Sequence, residues 1–590
     1  MTTSPPNVRA CQESHFTSFD ATPLFYRHWP ARGNAGEKKA VVLFHRGHEH
    51  GARMAHLVDE LDLPDCAFFA WDARGLGRSP GERGYADNFG ALVKDVDAFV
   101  RHIARAYDIP VENITVVAQS VGAVVVSAWV HDYAPKIRGM VLASPAFKVK
   151  LYVPFARQGL ALLQKFRKKF FVNSYVKAKF LTHDPARIAS YNSDPLITRP
   201  IAVNILLGLY DTAERVIADA GAIHVPTQLL ISGADWVVHH KPQHTFFERL
   251  GSTVKECHVL DGFFHDTLGE KDRHLAVAKA RDFVQRLYAA PHAMPHLGDA
   301  DRSGPAKELH KRLINPPSSL AARAYWAMSR FWIGVGGKLS TGMGVSVATG
   351  FDSGSTLDYV YRNRSQGLTP IGKLIDRIYL DSIGWRGIRI RKQHLELVIG
   401  KAIEALKANG KPVAITDIAA GHGRYILEAL SDRPQQVDSI LLRDYSDINV
   451  DAGRRLIAEK GLQQCAQFQQ GDAFDRQSLA AITPRPTLAV VSGLYELFPS
   501  NDLIRASLAG LADTTDAGSY LVYTNQPWHP QLELIARSLT SHRQGEPWVM
   551  RCRTQAEMDQ LVEQAGFEKL DQYTDEWGIF TVSLARKKAA

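Results

Sequence analysis

Short apolar runs, rich in β-branched and aromatic residues, recur along the whole chain. Each is too short for a helix, and each stops on a glycine, a serine, an acid or a histidine. In the first half they occupy 41–44, 67–71, 114–118, 139–144 and 227–231, with a more polar strand at 256–260; in the second, 413–417, 439–443 and 488–491, with a more polar strand around 467–470. Longer stretches of helical periodicity separate them, the clearest at 89–106. Strands this short, alternating with helices, make a mostly parallel sheet covered on both faces. The expected fold class is therefore α/β, and 590 residues are too many for one ordinary domain. In such sheets the chemistry gathers at the carboxyl ends of the strands, so the residues that stop each run are the ones to examine.

The run 114–118 stops at Ala118-Gln119-Ser120-Val121-Gly122. A serine on so sharp a strand-to-helix turn needs small residues two before and two after it, to let the two backbones approach. Ala118 and Gly122 meet that need, although glycine is commoner at the first position. The next strands deliver Asp235, in Ser232-Gly-Ala-Asp, and His265, in Gly262-Phe-Phe-His, to the same edge. Singly, these read equally well as a turn aspartate and a loop histidine. Together they supply a nucleophile, a base to take its proton and a carboxylate to orient the base, in the chain order Ser, Asp, His. The backbone N–H groups of Val121 and of Gly47, in the loop 45–51, are candidate donors for an oxyanion. Residues 145–225 interrupt the alternation with helical sequence and suit a lid over that edge.

The loop 45–53, Asp72-Ala-Arg-Gly-Leu-Gly-Arg-Ser79, the serine turn, Tyr191-Asn-Ser-Asp-Pro-Leu-Ile197, Gly233-Ala-Asp235 and Gly262-Phe-Phe-His265 together resemble the monoacylglycerol lipase and lysophospholipase branch of the α/β-hydrolases. The resemblance spans roughly the first 290 residues. It implies hydrolysis of a carboxylic ester, in a mono-acylated lipid, with Ser120 as nucleophile, Asp235 as acid, His265 as base, and Gly47 and Val121 as oxyanion donors. Arg46 stands where the family usually has glycine, and Gln119 where it usually has histidine. Arg46 is thus expected either to alter the loop or to offer a cation to a phosphate headgroup.

Charge and cysteine usage narrow the setting. The net charge is +9, and from Lys148 to Phe180 nine lysines and arginines stand among aromatic and aliphatic residues without one acid. Such a segment suits an anionic membrane surface, or equally a solvated helix face above a core stripe. Nucleic acid is not expected, because no recognition motif accompanies the charge. The five cysteines are scattered without a CxxC pair, which argues for a reducing compartment and against a structural zinc site, so no metal is expected. The N-terminus has no basic start followed by an apolar stretch, and no run approaches the roughly 20 apolar residues of a membrane span. The expected location is the cytoplasm, with peripheral contact at the inner membrane face. Oligomeric state is left open.

Pro-, Gly- and Ala-rich sequence at 289–319 reads as an exposed linker between a first domain at 1–288 and a second at 320–590 that begins with a helical extension. In the second domain, the run 413–417 ends on Asp417 and is followed by Gly421-His-Gly423, whose missing side chains let a ligand approach the backbone. The next two runs end on Asp444, placed for ribose hydroxyls, and on Asp472-Ala473, placed for an adenine. These three strand ends resemble the class I S-adenosylmethionine-dependent methyltransferases over about 357–588. The resemblance implies S-adenosyl-L-methionine as cofactor, with Asp417, Gly421 and Gly423 around its methionine end, Asp444 on ribose, and Asp472 with Ala473 on adenine. Ala419 departs from the commoner glycine. On the acceptor side, Tyr495, Glu496 and the stretch 524–529 are candidates, and no base is assigned.

The sequence therefore reads as an ester hydrolase fused to a methyltransferase. The alternatives are a lipid-surface adaptor with one inactive domain, or a hydrolase of soluble esters or peptides.

Overall fold

A computed structural model of the chain describes residues 9–33, 38–153, 155–543 and 545–589. The polar start at 1–8, on which the expectation about a leader segment rests, lies outside the described residues. The chain forms two compact units, Met1–Pro295 and His296–Ala590.

Among the described residues the first unit holds ten strands: β1 (Gln12–Thr17), β2 (Pro23–Trp29), β3 (Lys39–Phe44), β4 (Cys66–Trp71), β5 (Ile114–Gln119), β6 (Gly139–Ala143), β7 (Phe171–Asn173), β8 (Pro200–Ala202), β9 (Thr227–Ser232) and β10 (Lys255–Leu260). Eight of them form one sheet in the order β1-β2-β4-β3-β5-β6-β9-β10. It is parallel from β4 to β10, with β1 and β2 antiparallel at one edge. All residues of β4, β5, β6 and β9 are buried. Sheet faces covered on both sides explain why these strands read as near-continuous apolar runs, and truncating one such aliphatic side chain costs about 2–5 kcal/mol. The helix Val121–Tyr133 is buried at every position after Val121, flanked by the helices Phe89–Ala106 and Val203–Ala218. Helix Phe89–Ala106 starts where Asn88 accepts from the Ala91 N–H at 2.8 Å.

The described residues of 145–225 form the α-helices Ala156–Phe166, Pro185–Ser193 and Val203–Ala218 and the antiparallel pair β7–β8. Helix Ala156–Phe166 has no buried residue. Ala156, Arg157, Leu160 and Gln164 are half-buried and the other residues of this helix are exposed. Tyr152, Phe155, Leu162, Leu163 and Phe166 are all more than half exposed, Phe155 and Phe166 at 80%.

The second unit has a seven-stranded sheet of β11 (Ala414–Asp417), β12 (Ser439–Asp444), β13 (Ala466–Gln470), β14 (Leu488–Val491), β15 (Tyr520–Asn525), β16 (Phe567–Thr574) and β17 (Thr581–Lys587), in the order β13-β12-β11-β14-β15-β17-β16. The first five are parallel and β17 is antiparallel to both of its neighbours. Ahead of the sheet lies a set of helices. Four of them begin at Ser319, Ser340, Ser353 and Thr369, whose hydroxyls accept from the backbone N–H three residues on.

The expected linker at 289–319 is corrected in its second half. Residues Pro305–Ile314 form a helix with His310 and Leu313 buried, and Asp301 accepts from the Asn501 N–H at 2.8 Å. Proline at the first helical turn, Glu308 near the start and Lys311 and Arg312 near the end are helix signals that outweigh the surrounding Pro and Gly.

Candidate active sites

At the carboxyl end of β5 the backbone of Ser120 takes φ 56° and ψ −118°, a conformation that costs a non-glycine residue energy. It is over-determined from both sides. The Ser120 N–H donates to Ala143 O at 2.9 Å, and its carbonyl accepts from the Ala146 N–H at 3.1 Å. A Cβ on Gly122 would stand 2.4 Å from His45 O, so that position admits only glycine. The Ala118 methyl, by contrast, is fully buried in the core cluster without disturbing the turn.

Three strand ends then converge. His265 Nε2 lies 2.7 Å from Ser120 Oγ, and His265 Nδ1 lies 2.8 Å from Asp235 Oδ2. The other oxygen of Asp235 accepts from the Val237 and Val238 N–H groups at 2.7 and 3.0 Å. Burial pushes the Asp235 carboxyl up, but His265 and those two N–H donors outweigh it and hold the group below the usual carboxylate range. A buried carboxylate, an imidazole and a hydroxyl in this chain can remove a proton from the hydroxyl and stabilise the resulting imidazolium. Ser120, Asp235 and His265 are exposed by 5%, 3% and 3% respectively.

Gly47 adjoins the helix start: a Cβ on it would come 2.9 Å from Val121 Cγ2. Val121 is the first residue of its helix, where a backbone N–H has no intrahelical partner. The loop is ordered by His45, whose Nε2 accepts from the Ala73 N–H at 3.0 Å and whose Nδ1 lies 2.6 Å from Arg46 O. Burial lowers the His45 pKa, and both contacts suit the neutral ring. The lid motif docks on this same loop. Thr198 and His48 exchange two hydrogen bonds, at 2.9 and 2.7 Å, and Asp194 pairs with His50 at 2.9 Å.

Arg46 and Gln119 differ from what the sequence suggested. The Arg46 guanidinium does not face a headgroup. It is 5% exposed, pairs with Glu49 through two nitrogens and lies 3.4 Å from Asp266. Its expected role as a cation for phosphate is corrected accordingly, because burial among acids forces those charges to neutralise one another. Gln119 Nε2 donates to His265 O at 3.2 Å and to Asp266 Oδ1 at 3.0 Å. Asp266 in turn receives Arg187 Nε at 2.5 Å. Glu49, Arg187 and Asp266 escaped sequence reasoning, since only the fold brings the 46–53, 187 and 266 segments together.

In the second unit a cavity of about 660 Å³ lies at the ends of β11, β12, β13 and β14. Gly421, Asp444, Asp472 and Ala473 line it. The Asp444 carboxylate accepts from the Gly421 N–H at 2.9 Å on one oxygen, and from the Ser446 N–H and Asn449 Nδ2, both at 3.0 Å, on the other. A carboxylate has about four acceptor sites, so one remains open to a ligand hydroxyl, not the two expected for ribose. Asp472 accepts from the Phe474 N–H at 2.8 Å and is otherwise exposed to the cavity.

Asp417 and Gly423 stand apart from that lining. Asp417 is fully buried; it accepts from the Tyr425 hydroxyl and from the Ala419 N–H, and burial pushes its pKa up to about 7. Gly423, at φ 72°, caps the following helix, and a Cβ there would meet Leu442 at 2.4 Å. Of the three residues expected around a methionine end, Gly421 lines the cavity and Asp417 and Gly423 do not. Sequence reasoning missed the wall supplied by the helical extension. Asp352, Ser353, Gly354 and Asp358 line the cavity, and a Cβ on Gly421 would stand 3.4 Å from Gly354 Cα. The Asp358 carboxyl, buried yet bonded to His422 and Arg424, is held down at about 2. The cavity's volume, its carboxylates at two adjacent strand ends and the glycine backbone between them fit a nucleoside-sized ligand.

Of the acceptor-side candidates, Tyr495 turns into the core, its hydroxyl 2.9 Å from Ser507 Oγ, whereas Glu496 and His529 face a second cavity.

Comparison with known proteins places both units. The model of a family described as "Putative methyltransferase" matches residues 280–587, and that of a family described as "Serine aminopeptidase, S33" matches residues 35–272. The chain is 56% identical over 584 residues to "Uncharacterized protein YnbC" of Escherichia coli (strain K12), covering 99% of each chain. It is 24% identical over 274 residues to a monoacylglycerol lipase of Mycolicibacterium smegmatis, covering 46% of this chain and 96% of that one. Among solved structures, the monoacylglycerol lipase of Paleococcus ferrophilus aligns at 22% identity with a TM-score of 0.41, covering 45% of this chain and 99% of that one.

Proposed function

Since this chain belongs to the family described as "Putative methyltransferase" and carries an α/β-hydrolase fold ahead of that domain, we propose a bifunctional enzyme that hydrolyses a mono-acylated lipid ester and transfers a methyl group from S-adenosylmethionine. The observation that carries the first half is the Asp235–His265–Ser120 chain, at 2.8 and 2.7 Å, ending on a strained serine. In this reading His265 takes the Ser120 proton as Oγ attacks the ester carbonyl, and Asp235 holds the ring in one tautomer. The N–H groups of Gly47 and Val121 receive the developing negative charge. Monoacylglycerols and lysophospholipids are the proposed substrate class.

In the second unit Asp444, Asp472 and Ala473, with the Gly421 backbone, would hold S-adenosylmethionine, which supplies an electrophilic methyl group when bound. This half rests on the cavity of about 660 Å³ at the strand ends. The methyl acceptor need only be aligned, so a base is not a condition for turnover.

The exposed side chains of Tyr152, Phe155, Leu162, Leu163 and Phe166, beside Lys165, Arg167 and Lys168, support peripheral contact with an anionic membrane. That contact at the inner face, from the cytoplasm, would let both reactions work in sequence on one lipid. No helix among the described residues is long and apolar enough to cross a membrane.

The test is labelling of the full chain with a fluorophosphonate, and lipid profiling of cells carrying Ser120→Ala or Asp444→Ala. Loss of label in Ser120→Ala, accumulation of an ester in that strain and loss of a methylated product in the other are expected. An unlabelled wild-type chain would sink the hydrolase half. Binding of S-adenosylmethionine without any methylated product would favour a lipid-surface adaptor. Failure to bind anionic vesicles would favour soluble esters or peptides.

A further inference from the structure

A second cavity of about 200 Å³ shares Asp352, Leu357, Arg391, Gly493 and Leu497 with the wall of the first. Its walls are unlike those of its neighbour. Five aromatic side chains bound it: Phe351, Tyr379, Trp385, Trp548 and Phe580. The Trp385 and Trp548 rings lie 6.4 Å apart and 20° from parallel, and Tyr379 meets Trp385 edge-on at 5.7 Å. Flat faces at fixed angles favour a flat apolar guest over a flexible chain.

Its polar groups are few, and they are incompletely used. Glu496 is 5% exposed; its Oε1 pairs with Arg391 Nη1 at 3.1 Å, while its Oε2 is buried and has no partner. Trp548 Nε1 is likewise buried and unpartnered. His529 Nδ1 accepts from the Gln531 N–H at 3.0 Å, so the neutral ring carries its proton on Nε2. Burial pushes the His529 pKa down to about 4, which keeps the ring neutral near pH 7. The cavity therefore offers one anionic acceptor, two neutral donors and the cationic Arg391 Nε, which is also buried without a partner. A buried acceptor left unmade costs about 1–3 kcal/mol, so Glu496 Oε2 is a group waiting for a donor.

We propose that this second cavity binds a flat apolar ring bearing one hydroxyl, whose O–H donates to Glu496 Oε2. A carboxylate guest could reach Arg391 only beside Glu496, which already neutralises that guanidinium at 3.1 Å and would repel it. An ammonium would have to shed its water beside Arg391. A hydroxyl on a ring meets neither penalty. The cavity adjoins the one assigned to the methyl donor, so this hydroxyl oxygen is the methyl acceptor: its bond to the methyl carbon would form as the donor's sulfur–carbon bond breaks, the neutral thioether would leave, and the hydroxyl proton would pass to Glu496 Oε2; that last identification rests on the methyl-transfer reading, whereas the binding chemistry does not.

Calorimetric titration of the full-length protein with 2-naphthol and with 2-methoxynaphthalene, without cofactor, tests it. The naphthol should bind about tenfold more tightly, the worth of one hydrogen bond to a charged group. Glu496→Gln presents an amide N–H in place of the acceptor, so it should shrink that preference below about threefold. Leu534→Trp, which fills the cavity from a half-buried wall position, should abolish binding of both. Equal binding of the two ligands, a tenfold preference that survives Glu496→Gln, or no naphthol binding by a folded wild type would each overturn the proposal. S-adenosylhomocysteine titrated separately reports on the methyl-transfer reading, so failure of either leaves the other legible.

Discussion

Gln119 Nε2 donates to Asp266 Oδ1 at 3.0 Å, so the residue before the nucleophile holds the residue after the base. The same amide reaches His265 O at 3.2 Å, and its oxygen accepts from the Leu268 N–H at 3.4 Å. Gln119 thus spaces the two strand ends whose side chains must meet within hydrogen-bond range.

Gln119→Ala is therefore expected to lower kcat on 4-nitrophenyl butyrate by about tenfold or more, because small misplacements of a base are costly, while KM stays within about twofold. Gln119→Glu should not rescue it, since a second carboxylate would face Asp266. A variant that loses thermal stability but keeps its kcat would assign Gln119 a purely structural part.

Arg46 sits in a buried network with Glu49, Asp266, Arg187 and Arg53. Removing one member leaves buried charge uncompensated, which typically costs about 3–5 kcal/mol. Arg46→Ala should lower the melting temperature of the first unit or prevent its folding, without changing the ratio of monoacylglycerol to lysophospholipid hydrolysis in whatever folds. A stable Arg46→Ala protein with an altered headgroup ratio would restore the phosphate-binding role.

The difference between Ser120 and Arg46 shows what was legible in the chain. Ser120 directly follows a fully buried strand, and Asp235 and His265 lie within a few residues of the ends of two later parallel strands, so the alternation of strands and helices carries all three to one sheet edge. Arg46 lies just past such a strand too, but whether its side chain turns outward or inward depends on Glu49 and Asp266, the latter 220 positions away. Asp417 and Asp444 look alike in sequence, both ending strands of one sheet. One is sealed beneath Tyr425 and the other borders the cavity, a distinction of burial that no spacing encodes. The wall built from 352–358 was illegible for a related reason: a helical extension carries no mark of the face it presents to a sheet that begins some sixty residues later.

Three exposed cations on the lid, Lys165, Arg167 and Lys168, stand beside Leu162, Leu163 and Phe166. Others in the segment are already engaged: Arg157 with Asp211 and Glu214, and Lys169 with Glu82. Reversing the three free charges to glutamate should weaken binding to phosphatidylglycerol vesicles by about 100-fold or more, at about 1 kcal/mol per cation. Co-sedimentation measures this, and hydrolysis of a water-soluble ester should be unaffected. Unchanged sedimentation would remove the lid from any membrane contact.

Asp417 carries a pH dependence of a definite sign. Burial raises its pKa to about 7, above the ordinary value of about 4 that it regains on unfolding. The folded state therefore binds more protons between those values, and stability falls as pH rises from about 4 through 7, by at most about 4 kcal/mol. Asp417→Asn mimics the protonated form. It should raise the melting temperature of the second unit by several degrees at pH 8 and by only about a third as much at pH 5. Equal shifts at both pH values would mean that the buried carboxyl does not titrate in this range.

The last prediction separates two residues that touch the same carboxylate. Asp444 spends three of its roughly four acceptor sites on Gly421, Ser446 and Asn449. If a ribose hydroxyl takes the remaining site, Asp444→Ala removes that bond and also frees the Gly421 loop, so S-adenosylhomocysteine binding should weaken by about 10- to 100-fold, at about 1.5–3 kcal/mol for a bond to a charged group. Asn449→Ala does the opposite to Asp444: it vacates one site on Oδ1 and lets the carboxylate accept both hydroxyls of a diol. Binding should then hold or tighten, and the preference for S-adenosylhomocysteine over its 2′-deoxy analogue should grow. Titration calorimetry on the two variants reads both quantities. A loss in Asn449→Ala as large as that in Asp444→Ala would mean that Asn449, rather than the carboxylate, contacts the ligand.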